Sequence, residues 1–292
     1  MTNEVCFYLP LRDWNTLPDD ASRKNAVTAL EEGKVVLLPE LSFTLNPQEQ
    51  KFLKPDSVKA GTKSIKFSLA QQRVWGMAQK EDSFLLAGMM RRYAESARNL
   101  VTRLFPGYTD MVTGNTSFRP VEAEGRIQSK RHDDRLLHVD AFPSRPTHGT
   151  RLLRVFTNVN PEGGVRIWRV GQPFASVAAN FLPQIPSYNK CVASLLKLTK
   201  ITKTLRSPYD HYMLHLHDRM KLDDAYQAQV ENTTVQFPAG SSWIVFSDQV
   251  SHAAMSGQHA FEQTFTLSPH VQNNPDTSPL RVLEKLSGKK LA

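Results

Sequence analysis

The stretch Arg135-Leu136-Leu137-His138-Val139-Asp140-Ala141-Phe142 decides how this chain is read. It is an apolar, strand-like run that carries an imidazole and a carboxylate two residues apart. Successive side chains of an extended strand alternate faces, so His138 and Asp140 are expected to point the same way. Such a pair supplies two ligands of a facial iron site built from two histidines and one carboxylate, and one distant histidine would complete it. His252 is the candidate, at the end of Trp243-Ile244-Val245-Phe246-Ser247-Asp248-Gln249-Val250-Ser251-His252. It follows a strand and an Asp-Gln turn, which would project it from a strand end. Roughly a hundred residues separate it from Asp140, an interval that lets a jelly roll return a late strand beside an early one. His-x-Asp pairs are common by chance, so the metal reading depends on all three residues converging.

Downstream, Arg151-Leu152-Leu153-Arg154-Val155-Phe156-Thr157-Asn158-Val159-Asn160-Pro161 alternates with period two. Arg154, Phe156 and Asn158 fall on one face, Leu153, Val155 and Thr157 on the other. An arginine in so apolar a strand is costly unless its guanidinium meets an anion. The planar fork matches a carboxylate. The C5 carboxylate of 2-oxoglutarate, whose other end chelates iron, would suit it. A structural Arg–Glu pair or an edge-strand position is the alternative, open at this point.

Around these segments the pattern is α+β. Val35–Leu38 reads as a short buried strand, and Ser83–Phe105 has helical spacing ended by Pro106-Gly107. Residues 106–134 look irregular and basic, with Arg119, Arg126, Lys130 and Arg131. Strands are predicted over 151–158, 165–170, 233–237, 242–246 and 261–267, the first two joined by Asn160-Pro161-Glu162-Gly163-Gly164. Residues 190–230 revert to a basic helical texture. The expected fold is a double-stranded β-helix (a cupin-like jelly roll) with N-terminal and inserted helices. It forms one domain over 1–292: a mainly helical part to 134, a core over 135–270, and a tail over 271–292 in which Glu284-Lys285-Leu286-Ser287-Gly288-Lys289-Lys290 is polar and expected to fray. A Rossmann sheet is disfavoured, since there is no Gly-x-Gly-x-x-Gly and no regular strand–helix alternation.

A chain of 292 residues with 40% hydrophobic content can bury a full core. The net charge of +8 is compatible with nucleic acid, an anionic membrane or an acidic small substrate, and selects none of them. Basic residues 190–206 lack interleaved aromatics, which argues against nucleic acid. Cys6 and Cys191 lie far apart and point to a reducing compartment. The start lacks a basic segment followed by an apolar one, and no apolar run approaches the ~20 residues that span a bilayer. A cytoplasmic protein is expected, with room for peripheral contact with the inner membrane and for a homo-oligomer.

Together the helical start, His138-x-Asp140, the Arg154-x-Phe156-x-Asn158-x-Asn160-Pro161 strand, Trp168 and late His252 resemble the iron(II)/2-oxoglutarate-dependent oxygenases. More closely, the chain is similar to the Kdo hydroxylases of Gram-negative bacteria over most of its length, including Glu32-Gly33-Lys34-Val35-Val36-Leu37-Leu38-Pro39. The resemblance implies Fe(II) on His138, Asp140 and His252, with 2-oxoglutarate and O2 as co-substrates and succinate as co-product. It implies 3-hydroxylation of 3-deoxy-D-manno-oct-2-ulosonic acid (Kdo) in the lipopolysaccharide inner core, giving D-glycero-D-talo-oct-2-ulosonic acid. The substrate would then be an anionic, lipid-linked sugar such as Kdo2-lipid A. Many members of the wider superfamily hold the co-substrate with an Arg or Lys about ten residues after the last histidine. Here none occurs from Ala253 through Leu280, so Arg154 is the expected anchor, with Asn158, Trp168 and Arg119 around the same pocket. A core tryptophan and a solvated loop arginine are the plainer readings of the last two.

Other readings stay open. A related oxygenase acting on a fatty acyl or protein side chain, and a non-oxidative metal-binding cupin, share the same motif. His211-Tyr212-Met213-Leu214-His215-Leu216-His217 has zinc-like spacings but no Glu beside the first histidine, and a helix would put His215 and His217 on different faces. No Gly-x-Ser-x-Gly elbow supports a serine hydrolase.

Overall fold

The computed structural model describes residues 4–125 and 127–292. Arg126, one of the basic residues named above, and Met1 to Asn3, part of the start read for a leader, lie outside them. In chain order the elements are β1 (Cys6–Tyr8), α1 (Asp20–Glu31), β2 (Val35–Leu38), β3 (Ile65–Ser68), β4 (Arg73–Trp75), α2 (Ser83–Leu104) and β5 (Val112–Arg119). There follow β6 (Arg151–Asn158), β7 (Arg166–Val170), α3 (Phe174–Phe181), α4 (Lys190–Leu198), α5 (Pro208–Leu222) and α6 (Asp224–Gln229). The chain closes with β8 (Thr233–Phe237), β9 (Ser242–Phe246), β10 (His252–Ser256), β11 (Ala260–Leu267) and α7 (Pro279–Ser287). Eight strands form one sheet in the order β1-β2-β9-β6-β11-β5-β3-β4, and three form a second in the order β10-β7-β8.

Strand β6 lies inside the large sheet and is buried at every position. Its alternation separates two cores. Leu153 and Val155 join α1, the C-terminal half of α2 and β9 in one cluster, with Leu30, Leu100, Leu104, Ile244 and Phe246. Phe156 faces the other way and packs with Val35, Leu37, Trp243 and Val245 of its own sheet against Trp168, Val170, Val235 and Phe237 of the small sheet. The two sheets therefore share one apolar interior, and the functional residues sit where it opens. Three inserted helices, with α7, bury a separate cluster that includes Leu137, Val139, Phe181, Leu216 and Leu283.

Four expectations need correction. The segment to 134 is less helical than predicted: β1 to β5 all lie in it and all join the large sheet. Strand β5 falls in the stretch expected to be irregular. It carries little apolar signal, because its stability comes from ladders to β11 and β3 and from a buried Thr116 Oγ1–H donating to Gln263 Oε1 at 2.6 Å. The tail is not frayed. Leu280, Leu283 and Leu291 are buried against α3 and α5, and Asn273 and Asn274 N–H donate to the buried Glu31 carboxylate. Finally, His-x-Asp is extended but is not a strand: His138 pairs with His252 in a single antiparallel bridge. No helix among the described residues is long and apolar enough to cross a membrane.

Candidate active site

Leu137 and Val139 are both fully buried in the helical cluster, which turns the alternate residues His138 and Asp140 toward the interior between the sheets. Two backbone bonds, His138 N–H to His252 O at 3.1 Å and the reciprocal bond at 2.9 Å, place the histidines opposite each other. Asp140 N–H donates to Ser247 O at 2.8 Å, so the turn that delivers His252 also fixes the carboxylate. That turn is itself clamped: buried Arg151 Nε donates to Asp248 Oδ2 at 2.8 Å, and Arg151 Nη2 to Gln249 Oε1 at 2.6 Å. As a result one ligand atom from each of His138, Asp140 and His252 lies within 4.8 Å of the others.

The donor chemistry fits a divalent metal. His138 Nδ1 lies 2.8 Å from Leu136 O, and His252 Nδ1 lies 2.8 Å from Val250 O. A carbonyl oxygen can only accept, so each Nδ1 carries the proton and each Nε2 keeps a lone pair for the metal. Burial, then the neighbouring His252 and Lys221, hold the His138 pKa well below the ordinary 6.5. Burial likewise lowers the His252 pKa, against the pull of Asp140. Burial alone would raise the Asp140 pKa, but the Arg154 guanidinium above all outweighs it and keeps the carboxylate ionised. Two neutral imidazoles and an anionic oxygen are what a metal of iron's type requires.

An acid-sensitivity follows from these shifts. Unfolded imidazoles take up protons below about pH 6.5 while His138 and His252 resist, so the unfolded state binds more protons and stability falls with falling pH. The metal-free protein should lose melting temperature between pH 7 and 5, each buried histidine contributing a slope of up to ~1.4 kcal/mol per pH unit. His211, His215 and His259 shift the same way, so the slope should shrink but persist in His138→Gln. Thermal melts in chelator that stay flat over this range would contradict it.

Beside the triad is a recess of about 50 Å³ whose lining includes Arg119, Arg154, Arg166, Trp168 and Glu262. Register explains its charge pattern. On β11, Thr264 pairs with Arg154 of β6 and Ala260 pairs with Arg119 of β5, so Glu262 lies diagonally between the two arginines. Glu262 Oε1 accepts from Arg154 Nη1 at 2.8 Å, and Oε2 from Arg119 Nη2 at 2.7 Å. Arg154 Nη2 also stands 3.1 Å from Asp140 Oδ2, linking the recess to the triad. Trp168 stacks on His252, with ring centroids 4.9 Å apart and 24° between planes. Its buried Nε1–H has no hydrogen-bond partner among the described residues, a donor left for a bound group.

Of the residues named from sequence, His138, Asp140, His252, Arg154, Arg119 and Trp168 come together here. Arg119 is not a solvated loop residue, and Arg154 does have the structural Glu partner left open above. Asn158 does not join them. Its side-chain N–H groups donate to Gly164 O and Phe237 O at 2.8 and 3.0 Å, and its oxygen accepts from Asn160 N–H, so the amide is spent on the turn after β6. The zinc-like histidines divide as expected: His211 contacts His215, whereas His217 sets its ring edge against His138 at 5.4 Å. Sequence reasoning missed Glu262, Arg166 and His217 as site residues. The alternation Arg166-x-Trp168 and the lone acid in Phe261-Glu262-Gln263-Thr264-Phe265 were signals for the first two.

Glu262→Gln should leave the buried Arg154 guanidinium and the partly buried Arg119 guanidinium facing each other without their shared anion. Removing one partner of a buried charge pair costs about 3–5 kcal/mol. Urea unfolding of the variant should show a loss of that order, and an unchanged midpoint would refute the bridging role.

A family model described as 3-deoxy-D-manno-oct-2-ulosonic acid (Kdo) hydroxylase matches residues 13–290. The chain belongs to this family. Among solved structures, the Kdo hydroxylase KdoO in complex with cobalt(II), described as a non-heme Fe(II) alpha-ketoglutarate (2-oxoglutarate) dependent dioxygenase, is 44% identical. The match covers 98% of this chain and 97% of that one, with a TM-score of 0.95. KdoO in complex with alpha-ketoglutarate and Fe(III) is 43% identical over the same shares, again with a TM-score of 0.95. No curated protein matches the chain. The convergence of His138, Asp140 and His252 thus lies within a fold shared along nearly the whole length of these relatives.

Proposed function

We propose that this chain is an Fe(II)- and 2-oxoglutarate-dependent hydroxylase that places a hydroxyl on C3 of Kdo. The observation that carries the reading is the convergence of His138, Asp140 and His252 within 4.8 Å, beside a recess rich in guanidinium groups. We read the two facing sheets as a double-stranded β-helix and the 292 residues as one oxygenase domain.

His138 Nε2, His252 Nε2 and an Asp140 oxygen would hold Fe(II). When bound, iron with 2-oxoglutarate and O2 supplies the oxidising chemistry: the keto acid leaves as succinate and CO2 while one oxygen enters a sugar C–H bond. The protein's share is position and environment. Leu136 O and Val250 O fix the imidazole planes, and His217 restricts rotation of His138. Arg154, steadied by Glu262, and Arg119 would receive the distal carboxylate of the keto acid, with Trp168 Nε1–H as a further donor. The apolar wall of Phe156 and Trp168 keeps bulk water from the oxidant.

The substrate reading extends to a sugar on an anionic lipid carrier, Kdo2-lipid A or its precursor, met from the cytoplasmic side by peripheral contact; the net charge of +8 supports it. Incubation with Fe(II), 2-oxoglutarate, O2 and Kdo2-lipid A should give one succinate per oxygen gained on the sugar, read by mass spectrometry. A substrate panel in which an acyl chain or a protein side chain is hydroxylated instead would overturn the sugar assignment.

A further inference from the structure

Helix α4 and the turn behind it carry apolar residues outward. Val192, Leu195, Leu198 and Ile201 recur every third residue and are 53, 58, 80 and 58% exposed. At about 100° per residue the three helical ones lie within about one third of the circumference. Ala193 is the one side chain that α4 buries. Other exposed large apolar residues, such as Phe84, Val112 and Ile127, are scattered singly. A contiguous ridge of this kind marks a contact surface rather than ordinary exposure.

Charge specifies the contact. From Lys190 to Arg206 the chain has Lys190, Lys197, Lys200, Lys203 and Arg206 and no acidic residue. Lys190 and Lys197 sit a heptad apart on α4, off the apolar arc, and Lys200 and Lys203 continue beyond its end. An apolar arc on one face with lysines on the other is the signature of a helix lying in the plane of a bilayer interface. The segment also connects to the site. Lys203 N–H donates to Ser144 O at 3.0 Å and Arg206 Nη2 to Pro143 O at 2.9 Å, both in the loop that follows Asp140. Helix α5, next in the chain, brings His217 to His138.

We propose that α4 and its following turn are a membrane-docking surface for an anionic bilayer, with Val192, Leu195, Leu198 and Ile201 entering the acyl boundary and the lysines meeting lipid phosphates. This deepens the lipid-linked substrate reading, on which its biological meaning rests. Binding to vesicles that contain no substrate tests it separately from turnover.

The test is co-sedimentation of the full-length, iron-loaded protein with vesicles of phosphatidylcholine alone or mixed with phosphatidylglycerol. Wild type should bind the mixed vesicles, less so as salt rises, and bind phosphatidylcholine weakly. The Leu195→Asp, Leu198→Asp double variant should lose roughly tenfold or more in vesicle affinity. Replacing Lys190, Lys197, Lys200 and Lys203 by Gln should abolish the preference for phosphatidylglycerol. Far-UV circular dichroism and 2-oxoglutarate binding should be unchanged in both variants. Absence of wild-type binding, or undiminished binding by the leucine variant, would overturn the proposal. So would a wild-type dimer that the leucine variant converts to monomer with no vesicle binding, which would assign the ridge to a second copy. Vesicle binding without sugar hydroxylation would leave the docking surface standing and sink only the substrate reading.

Discussion

His138→Ala and Asp140→Ala should each abolish succinate formation while the fold persists. The three donors converge through the bridge between His138 and His252 and the bond from Asp140 N–H to Ser247 O, both made by backbone that the substitutions leave in place. What disappears is one donor of three. Loss of an outer-shell partner costs 10–100-fold in metal affinity or activity, so loss of a ligand itself should exceed roughly 100-fold. The two variants differ in a second respect. His138→Ala removes a group that burial keeps neutral, whereas Asp140→Ala also takes an anion from Arg154 at 3.1 Å. Asp140→Ala should therefore be the less stable of the two. Succinate release, Fe(II) titration and circular dichroism together check this. Turnover near wild type in either variant would end the assignment of these residues as ligands.

Anaerobic addition of Fe(II) and 2-oxoglutarate should produce a weak visible charge-transfer band, and Arg154→Ala should lose it. Truncating one member of a buried, hydrogen-bonded charge pair costs about 2–5 kcal/mol, roughly a 30-fold or greater loss of co-substrate affinity. Arg154 has a second duty beside Asp140 and Glu262, so the alanine variant alone would mix a lost anchor with a disturbed ligand. Arg154→Lys separates them. A lysine keeps a positive charge near both carboxylates but lacks the planar fork, so metal binding should recover while co-substrate affinity stays low. A full band in Arg154→Ala would pass the anchoring role to Arg119 and Arg166.

The triad was legible because its chemistry is local and its residue types are few: a histidine and an aspartate on one side of a short extended run, and one late histidine behind a turn. The strands over 151–158, 233–237 and 242–246 were legible as well, the first ending on Asn158 and the other two separated by Pro238-Ala239-Gly240. Strand β5 was not, since Val112-Thr113-Gly114-Asn115-Thr116-Ser117 has no apolar alternation, and only its neighbours make it a strand. Period two placed Asn158 on the face of Arg154 correctly, but a shared face says nothing about position along it. Four residues farther on, the amide belongs to a turn. Glu262 and His217 escaped for a different reason. Their importance arises from which strand lies beside which and from how an inserted helix docks, and neither is written in the residues nearby.

The two-sided burial of β6 has a consequence for how this enzyme can vary. Slippage of that strand by one position would swing Arg154 into the hydrocarbon against α2 and present Leu153 or Val155 to the recess beside the triad. Folding error and loss of chemistry would then be the same event, so the alignment that packs the protein also proofreads its reaction centre. Single-residue insertions or deletions within 151–158 should be far less tolerated than substitutions that respect the alternation.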